Sequence, residues 1–266
     1  MSKQSITVRS LIEMKSAGEK ICVLTSYDAS FTRLIEAAGI EVILVGDSLG
    51  MVIQGQESTL PVTLDEMIYH TRNVARARQS VLLIADMPFM SYRTPGLAME
   101  SAGRLMKEGG AHMVKLEGGA NQLEAIRQIS SQGIPVCGHL GLLPQSVHKL
   151  GGYRVQGREQ QDASQIREDA RLLQEAGVDL LVLECVPDSL AAQITIDLTI
   201  PVIGIGAGAQ CDGQVLVLYD MLGMNPHPPR FVKDFLQSGR TIQEALQAYA
   251  DAVKDGSFPA KEHSFK

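Results

Sequence analysis

Short runs of Val, Ile and Leu alternate along the chain with longer amphipathic segments, and one kind of junction joins them again and again. A helix-like stretch closes on Ala-Gly or another glycine and an apolar run follows, as in "EAAGIEVILVGD", "KEGGAHMVKLEGG", "SSQGIPVCGHLG" and "QEAGVDLLVLEC". Glycine just past a helix supplies a left-handed C-terminal cap, and a run that is apolar on both faces suits a parallel strand covered on either side. Seven strands are predicted: "ICVLTSYD", "VILVGDS", "VLLIADMPF", "MVKLEG", "PVCGHLG", "LLVLECV" and "PVIGIGAG". An eighth candidate, "QVLVLYDML", has a pattern that equally suits a helix. Helix starts are readable between them. Thr63 with Glu66 and Thr241 with Glu244 read as capping boxes, and Thr94 before Pro95 as an N-cap and first helical residue.

Seven or eight β-α units in 266 residues predict an α/β protein built as a (β/α)8 barrel, a fold that takes about 250 residues. An open doubly wound sheet is the alternative. No Pro/Ser-rich linker divides the chain, so residues 1–266 are expected to form one barrel domain. The first twenty residues read as an added helix closing the barrel floor, and "GSFPAKEHSFK" as a loosely packed tail.

Composition narrows the partners. The net charge of −6 and a pI of about 5.5 argue against nucleic acid and anionic membrane surfaces. No apolar run approaches the length that spans a bilayer, and the N-terminal stretch lacks an apolar signal core, so no secretory signal is expected. The cysteines (Cys22, Cys137, Cys185, Cys211) are widely spaced without a C-x-x-C, and three lie in strand-like runs. Neither disulfides nor a zinc site is expected, and the cytoplasm is the expected compartment.

In a barrel of this kind the reactive groups sit at the C-terminal ends of strands and in the loops after them. The ionisable residues fall there. Asp47 ends the second predicted strand and Asp86 the third; Lys115 and Glu117 lie on the fourth, two apart and so on one face. His139 lies late in the fifth and Glu184 late in the sixth. Any one of these alone reads best as an exposed residue or a structural ion pair. The set is different: one lysine, one histidine and four carboxylates on core-facing strand ends destabilise the fold unless paired or bound to something. Asp47, Asp86 and Glu117 are hard oxygen donors of the kind Mg²⁺ takes, whereas zinc would call for more histidine or cysteine.

Three further features carry less weight. "PVIGIGAGAQ" fits G-x-G-x-x-A through Gly204, Gly206 and Ala209, but it follows the seventh strand and no second strand with a terminal acid comes after it. An anion site or simple close packing fits it better. "GGYRVQGR" reads equally as a lid and as a solvent loop. His70, His112 and His148 are expected to be structural or solvated.

"VGDSLGMVIQGQESTLPVTLDEMIYHTRNVARA" closely resembles the matching stretch of the ketopantoate hydroxymethyltransferase family. So do "ADMPFMSY", "MVKLEGG", "PVCGHLGLLPQSV", "GGYRVQGR", "LLVLECVP", "PVIGIGAG" and "EHSF", in the family's order from about Thr25 onward. The resemblance implies a barrel of the phosphoenolpyruvate/pyruvate-binding type that moves a one-carbon unit from 5,10-methylenetetrahydrofolate to 3-methyl-2-oxobutanoate, giving 2-dehydropantoate for pantothenate synthesis. It implies Asp47 as metal ligand and, with Ser48, substrate contact; Asp86 at metal and substrate; Lys115 on the substrate; Glu117 near the metal; and Glu184 as proton acceptor. It also implies Mg²⁺ and a large homo-oligomer, commonly a decamer, while His139 and the folate contacts stay unassigned. Two other classes remain open. One is a lyase or mutase of the phosphoenolpyruvate/isocitrate lyase type, although a cysteine-bearing catalytic loop is not evident. The other is a non-catalytic binder of small acids.

Overall fold

The computed structural model describes residues 5–237 and 239–266. Eight parallel strands, β1 (Ile21–Thr25), β2 (Val42–Val45), β3 (Leu82–Asp86), β4 (Met113–Glu117), β5 (Val136–Gly141), β6 (Leu180–Glu184), β7 (Val202–Ile205) and β8 (Gly213–Leu216), pair in chain order. β8 then pairs back onto β1 and closes the barrel, with Val23 opposite Val215. β1 to β4 are buried at every position, which is why β1 and β2 read as nearly unbroken apolar runs and why Asp86 of β3 and Lys115 and Glu117 of β4 are buried charges.

The ambiguous "QVLVLYDML" is both things in succession. The strand stops at Leu216 and a short helix, Leu218–Met221, begins at once. The Thr25 hydroxyl accepts a hydrogen bond from the Leu218 amide (2.9 Å) and fixes the turn between them. The capping boxes at Thr63 and Thr241 are formed, as is the N-cap at Thr94.

The helix Val8–Ala17 buries Leu11, and its Lys15 donates to Asp212 (2.7 Å) and to the Thr195 carbonyl (2.8 Å). Asp212 immediately precedes β8, so this helix lies against the end of the barrel remote from the strand C-termini. The C-terminal segment differs from its expected looseness. Phe258 is buried and meets Phe235 and Tyr249 edge-on at 5.4 and 6.0 Å, and the Phe265 carbonyl accepts from the Asp188 amide (3.0 Å). Two aromatic side chains in eleven residues are enough to seat it. Among the described residues no helix is long and apolar enough to cross a membrane.

Candidate active site

Strand register assembles the ionisable groups. Asp86 of β3 lies opposite Lys115 of β4, Glu117 of β4 opposite His139 of β5, and Gly141 of β5 opposite Glu184 of β6. Lys115 Nζ donates to Asp86 Oδ1 (2.6 Å), and the other Asp86 oxygen accepts from the Asp47 amide (3.0 Å). Gly46 makes that approach possible, since a Cβ there would sit 2.7 Å from Ser48 Oγ and 3.5 Å from Asp86 Oδ2. His139 stands between two carboxylates, Nδ1 3.5 Å from Glu117 and Nε2 3.2 Å from Glu184. These are charge contacts without the direction of hydrogen bonds.

All six groups line one cavity of about 630 Å³ at the mouth of the barrel. Asp47, Asp86, Lys115, Glu117 and His139 are each no more than 5% exposed, so their charges interact through protein rather than water. Burial, then the charges of Asp86 and Glu117, push the Asp47 carboxyl well above the usual range. Burial opposes the Lys115 ammonium, but Asp86, Glu117 and Asp47 together outweigh it and hold the proton on. Burial and Lys115 likewise oppose a charged His139, and the flanking Glu117 and Glu184 overcome both and carry its pKa up to about 9. Glu184 is the most accessible of the set, with 14% of its side chain exposed.

Three residues that sequence reasoning did not single out hold this array. Gln145, just past β5, donates from Nε2 to Asp47 Oδ2 (2.8 Å) and to the Met87 carbonyl (3.0 Å). Its amide donates to Glu117 Oε2 (3.0 Å), and its Oε1 accepts from the Tyr92 hydroxyl. Tyr27, fully buried, meets the Ser48 hydroxyl at 2.8 Å. Gln145 lies within "GLLPQSV", a stretch matched by resemblance, but nothing about its local pattern signals a role.

The weaker sequence features also find their places. Tyr153, Arg154 and Val155 of "GGYRVQGR" line the cavity, and the Gln156 amide donates to the Cys185 carbonyl (2.9 Å), so this loop borders the mouth. "GIGAG" is packed closely: a Cβ on Gly206 would meet Phe231 at 2.9 Å and Phe265 at 3.1 Å. His70 Nδ1 contacts the Tyr27 carbonyl at 2.8 Å, His112 is buried in part with its pKa lowered to about 4 by burial and Arg78, and His148 is exposed. The four cysteines are free and buried, and burial pushes the Cys185 thiol, beside Glu184, upward and away from the reactive thiolate.

Mg²⁺ suits this donor set in part. Four carboxylates face one lysine and one histidine in a buried cavity, an excess of negative charge that a cation would offset. Among the described residues, however, no three of the side chains converge into a ready-made metal cage. Mg²⁺ keeps several waters and takes one or two carboxylates with substrate oxygens, so a sparse site of this kind is compatible with it.

Residues 5–261 match the family model described as ketopantoate hydroxymethyltransferase. A 3-methyl-2-oxobutanoate hydroxymethyltransferase of Nitrosococcus oceani is 61% identical over 98% of this chain and 99% of its own length. One of Halorhodospira halophila is 55% identical over 98% and 95%. The solved structure of a 2,3-dimethylmalate lyase, a member of the PEP mutase/isocitrate lyase superfamily, superposes with a TM-score of 0.57 over 95% of this chain and 98% of that one. At 16% identity it speaks for the barrel alone. With the family model spanning nearly the whole chain and relatives this close at full length, the chain belongs to the ketopantoate hydroxymethyltransferase family.

Proposed function

We propose that the chain transfers a hydroxymethyl group from 5,10-methylenetetrahydrofolate to 3-methyl-2-oxobutanoate, giving 2-dehydropantoate for pantothenate synthesis. The observation that supports this most is the Lys115–Asp86–Asp47 array sharing one cavity with the accessible carboxylate of Glu184. Such an array suits an oxo acid held at its oxygens while a separate base works at the neighbouring carbon. The reading extends to a cytoplasmic homo-oligomer that handles small molecules only.

Lys115 and the Ser48 hydroxyl, the latter steadied by Tyr27, bind the keto and carboxylate oxygens, so that charge developing there meets groups already in place. Asp47, Asp86 and Glu117 would hold Mg²⁺, which when bound supplies Lewis-acid polarisation of the keto group. Glu184 takes the C3 proton. The resulting carbon nucleophile bonds to the methylene carbon of the donor, whose bonds to N5 and N10 break; water supplies the hydroxyl oxygen, and tetrahydrofolate leaves with one proton from water and the one taken up by Glu184 on those two nitrogens. His139 steadies Glu184 through the contact at 3.2 Å and links it to Glu117.

Exchange of the C3 hydrogen of 3-methyl-2-oxobutanoate in D₂O tests this directly. Wild-type protein with Mg²⁺ and tetrahydrofolate is expected to wash in deuterium, and Glu184→Gln to lose that exchange. Undiminished exchange in Glu184→Gln would remove Glu184 as the base, and no exchange by the wild type under any of these conditions would sink the enolising reaction as a whole.

A further inference from the structure

The cavity is larger than a five-carbon oxo acid needs, and its two ends differ in chemistry. The charged groups of the array come from β2 to β6. Across the cavity Ile205 of β7, Val215 of β8, and Val217 and Phe231 beyond it form an apolar wall, edged by Asp220, Asn225, His227 and Arg230. At about 630 Å³ the volume lies in the range that takes drug-sized ligands, leaving room for a flat second molecule against this wall.

That wall carries a carboxylate which none of the preceding chemistry uses. Asp220, in the short helix after β8, lines the cavity and is 9% exposed. Its Oδ1 accepts from Asn225 Nδ2 (3.0 Å), and Asn225 Oδ1 in turn accepts from the His227 amide (3.0 Å), which fixes the direction of the Asn225 amide. Among the described residues Oδ2 has no hydrogen-bond donor. Burial pushes the Asp220 carboxyl upward, with Asn225 opposing, as befits a carboxylate short of donors. The Leu218 amide bound to Thr25 and the Asp220 amide bound to the Val217 carbonyl (3.1 Å) make the backbone under it rigid.

A carboxylate short of donors at the end of an apolar slot matches one feature of the donor named above. The 2-amino-4-oxopyrimidine edge of a reduced pterin offers an amino N–H and a ring N–H side by side, pointing the same way. Two parallel donors of this kind fit the two oxygens of one carboxylate, and the pterin's faces fit an apolar wall ending in Phe231.

We propose that Asp220, oriented by Asn225, recognises the 2-amino and N3–H groups of the pterin ring, and that the β7–β8 side of the cavity is the binding site of the one-carbon donor. The assignment rests on the donor reading under Proposed function. It places the donor's ring opposite the oxo acid in one cavity, so that the two reacting carbons meet between them.

The test is a ligand–variant cycle read by anaerobic titration calorimetry. Tetrahydrofolate and its 2-desamino-2-methyl analogue are each titrated into wild-type protein and into Asp220→Asn. A charged hydrogen-bond pair lost from a buried site weakens binding roughly 10- to 100-fold. The wild type is therefore expected to bind the analogue more weakly than tetrahydrofolate by about that factor. Asp220→Asn is expected to weaken tetrahydrofolate similarly while leaving the analogue nearly unmoved, so that the two affinities converge. A folded Asp220→Asn that weakens both ligands together and leaves their ratio intact would overturn the assignment. Should Asp220→Asn not fold, Asp220→Ser is the second variant, with the same convergence expected. A wild type that binds both ligands equally overturns the role of Asp220 and leaves the donor reading standing, whereas a wild type that binds neither overturns both.

Discussion

Lys115→Met removes the cation from the shortest ion pair of the site. Lys115 and Asp86 are 5% and 3% exposed and meet at 2.6 Å. Deleting one partner of such a pair leaves an uncompensated buried charge and costs about 3–5 kcal/mol. Two local features act in opposite directions. The Asp47 amide still donates to Asp86 (3.0 Å) and eases the loss, while the carboxylates of Asp47 and Glu117 now repel it without Lys115 between them. Because proton uptake by one carboxylate caps the repulsion, the expected loss is near the low end, about 3 kcal/mol. Asp86→Asn keeps an acceptor for the Asp47 amide and leaves Lys115 with other carboxylates, so it should cost less. The double variant Lys115→Met/Asp86→Asn removes both charges and is expected to recover about 2 kcal/mol of the summed losses. Urea unfolding near neutral pH, with chelator present and protein concentration fixed, measures all four corners of this cycle. A Lys115→Met variant within about 1 kcal/mol of wild type, or losses that simply add, would refute the claim that this pair is desolvated and interdependent.

Two other perturbations follow from the same contacts. Gln145→Leu leaves Asp47, the Met87 carbonyl and the Tyr92 hydroxyl without their shared partner, so kcat/KM is expected to fall about 10- to 100-fold and Mn²⁺ affinity, read by electron paramagnetic resonance, to fall with it. Unchanged metal affinity would show that Gln145 does not orient the carboxylates. Away from the site, Glu36 is 8% exposed and accepts from Gln79 N (2.8 Å), from Ser80 Oγ (2.6 Å) and from the Ser80 amide. Burial alone would raise its pKa, yet these donors lower it overall. A depressed carboxylate contributes stability that is present above its unfolded pKa of about 4.3 and is lost as pH falls through the folded value. Glu36→Gln is therefore expected to unfold about 2–3 kcal/mol more easily at neutral pH, with the gap to wild type closing below about pH 4.5. A gap independent of pH would contradict that sign.

How much was legible in advance depended on the range of the physics involved. The barrel was readable because a parallel strand covered on both faces is a nearly unbroken apolar run, and because glycine caps and capping boxes mark several helix ends over a few residues. Asp47, Asp86, Lys115, Glu117, His139 and Glu184 were readable as a group because polar residues at the C-terminal ends of such runs break a strong local pattern. The end of β8 was not readable, since the Thr25 hydroxyl that turns the chain at Leu218 lies 193 residues away. The seating of the C-terminal segment was missed for a similar reason, because Phe258 packs on rings of Phe235 and Tyr249 that no nearby residue announces.

The amino-acid sequence by itself determined that Asp47, Asp86, Lys115, Glu117, His139 and Glu184 stand at strand ends, because period and punctuation are local and strand ends are where they change. Only the tertiary structure decided which of those groups touch. Register set Asp86 beside Lys115 and His139 beside Glu117, and a glutamine 98 residues from Asp47 in the chain became its hydrogen-bond partner. Asp220 belongs to the same class, a carboxylate in an ordinary short helix whose meaning comes from the cavity wall it completes. Contacts of this kind depend on closure of the sheet, which brings β8 against β1, and closure is a property of the whole chain rather than of any stretch within it.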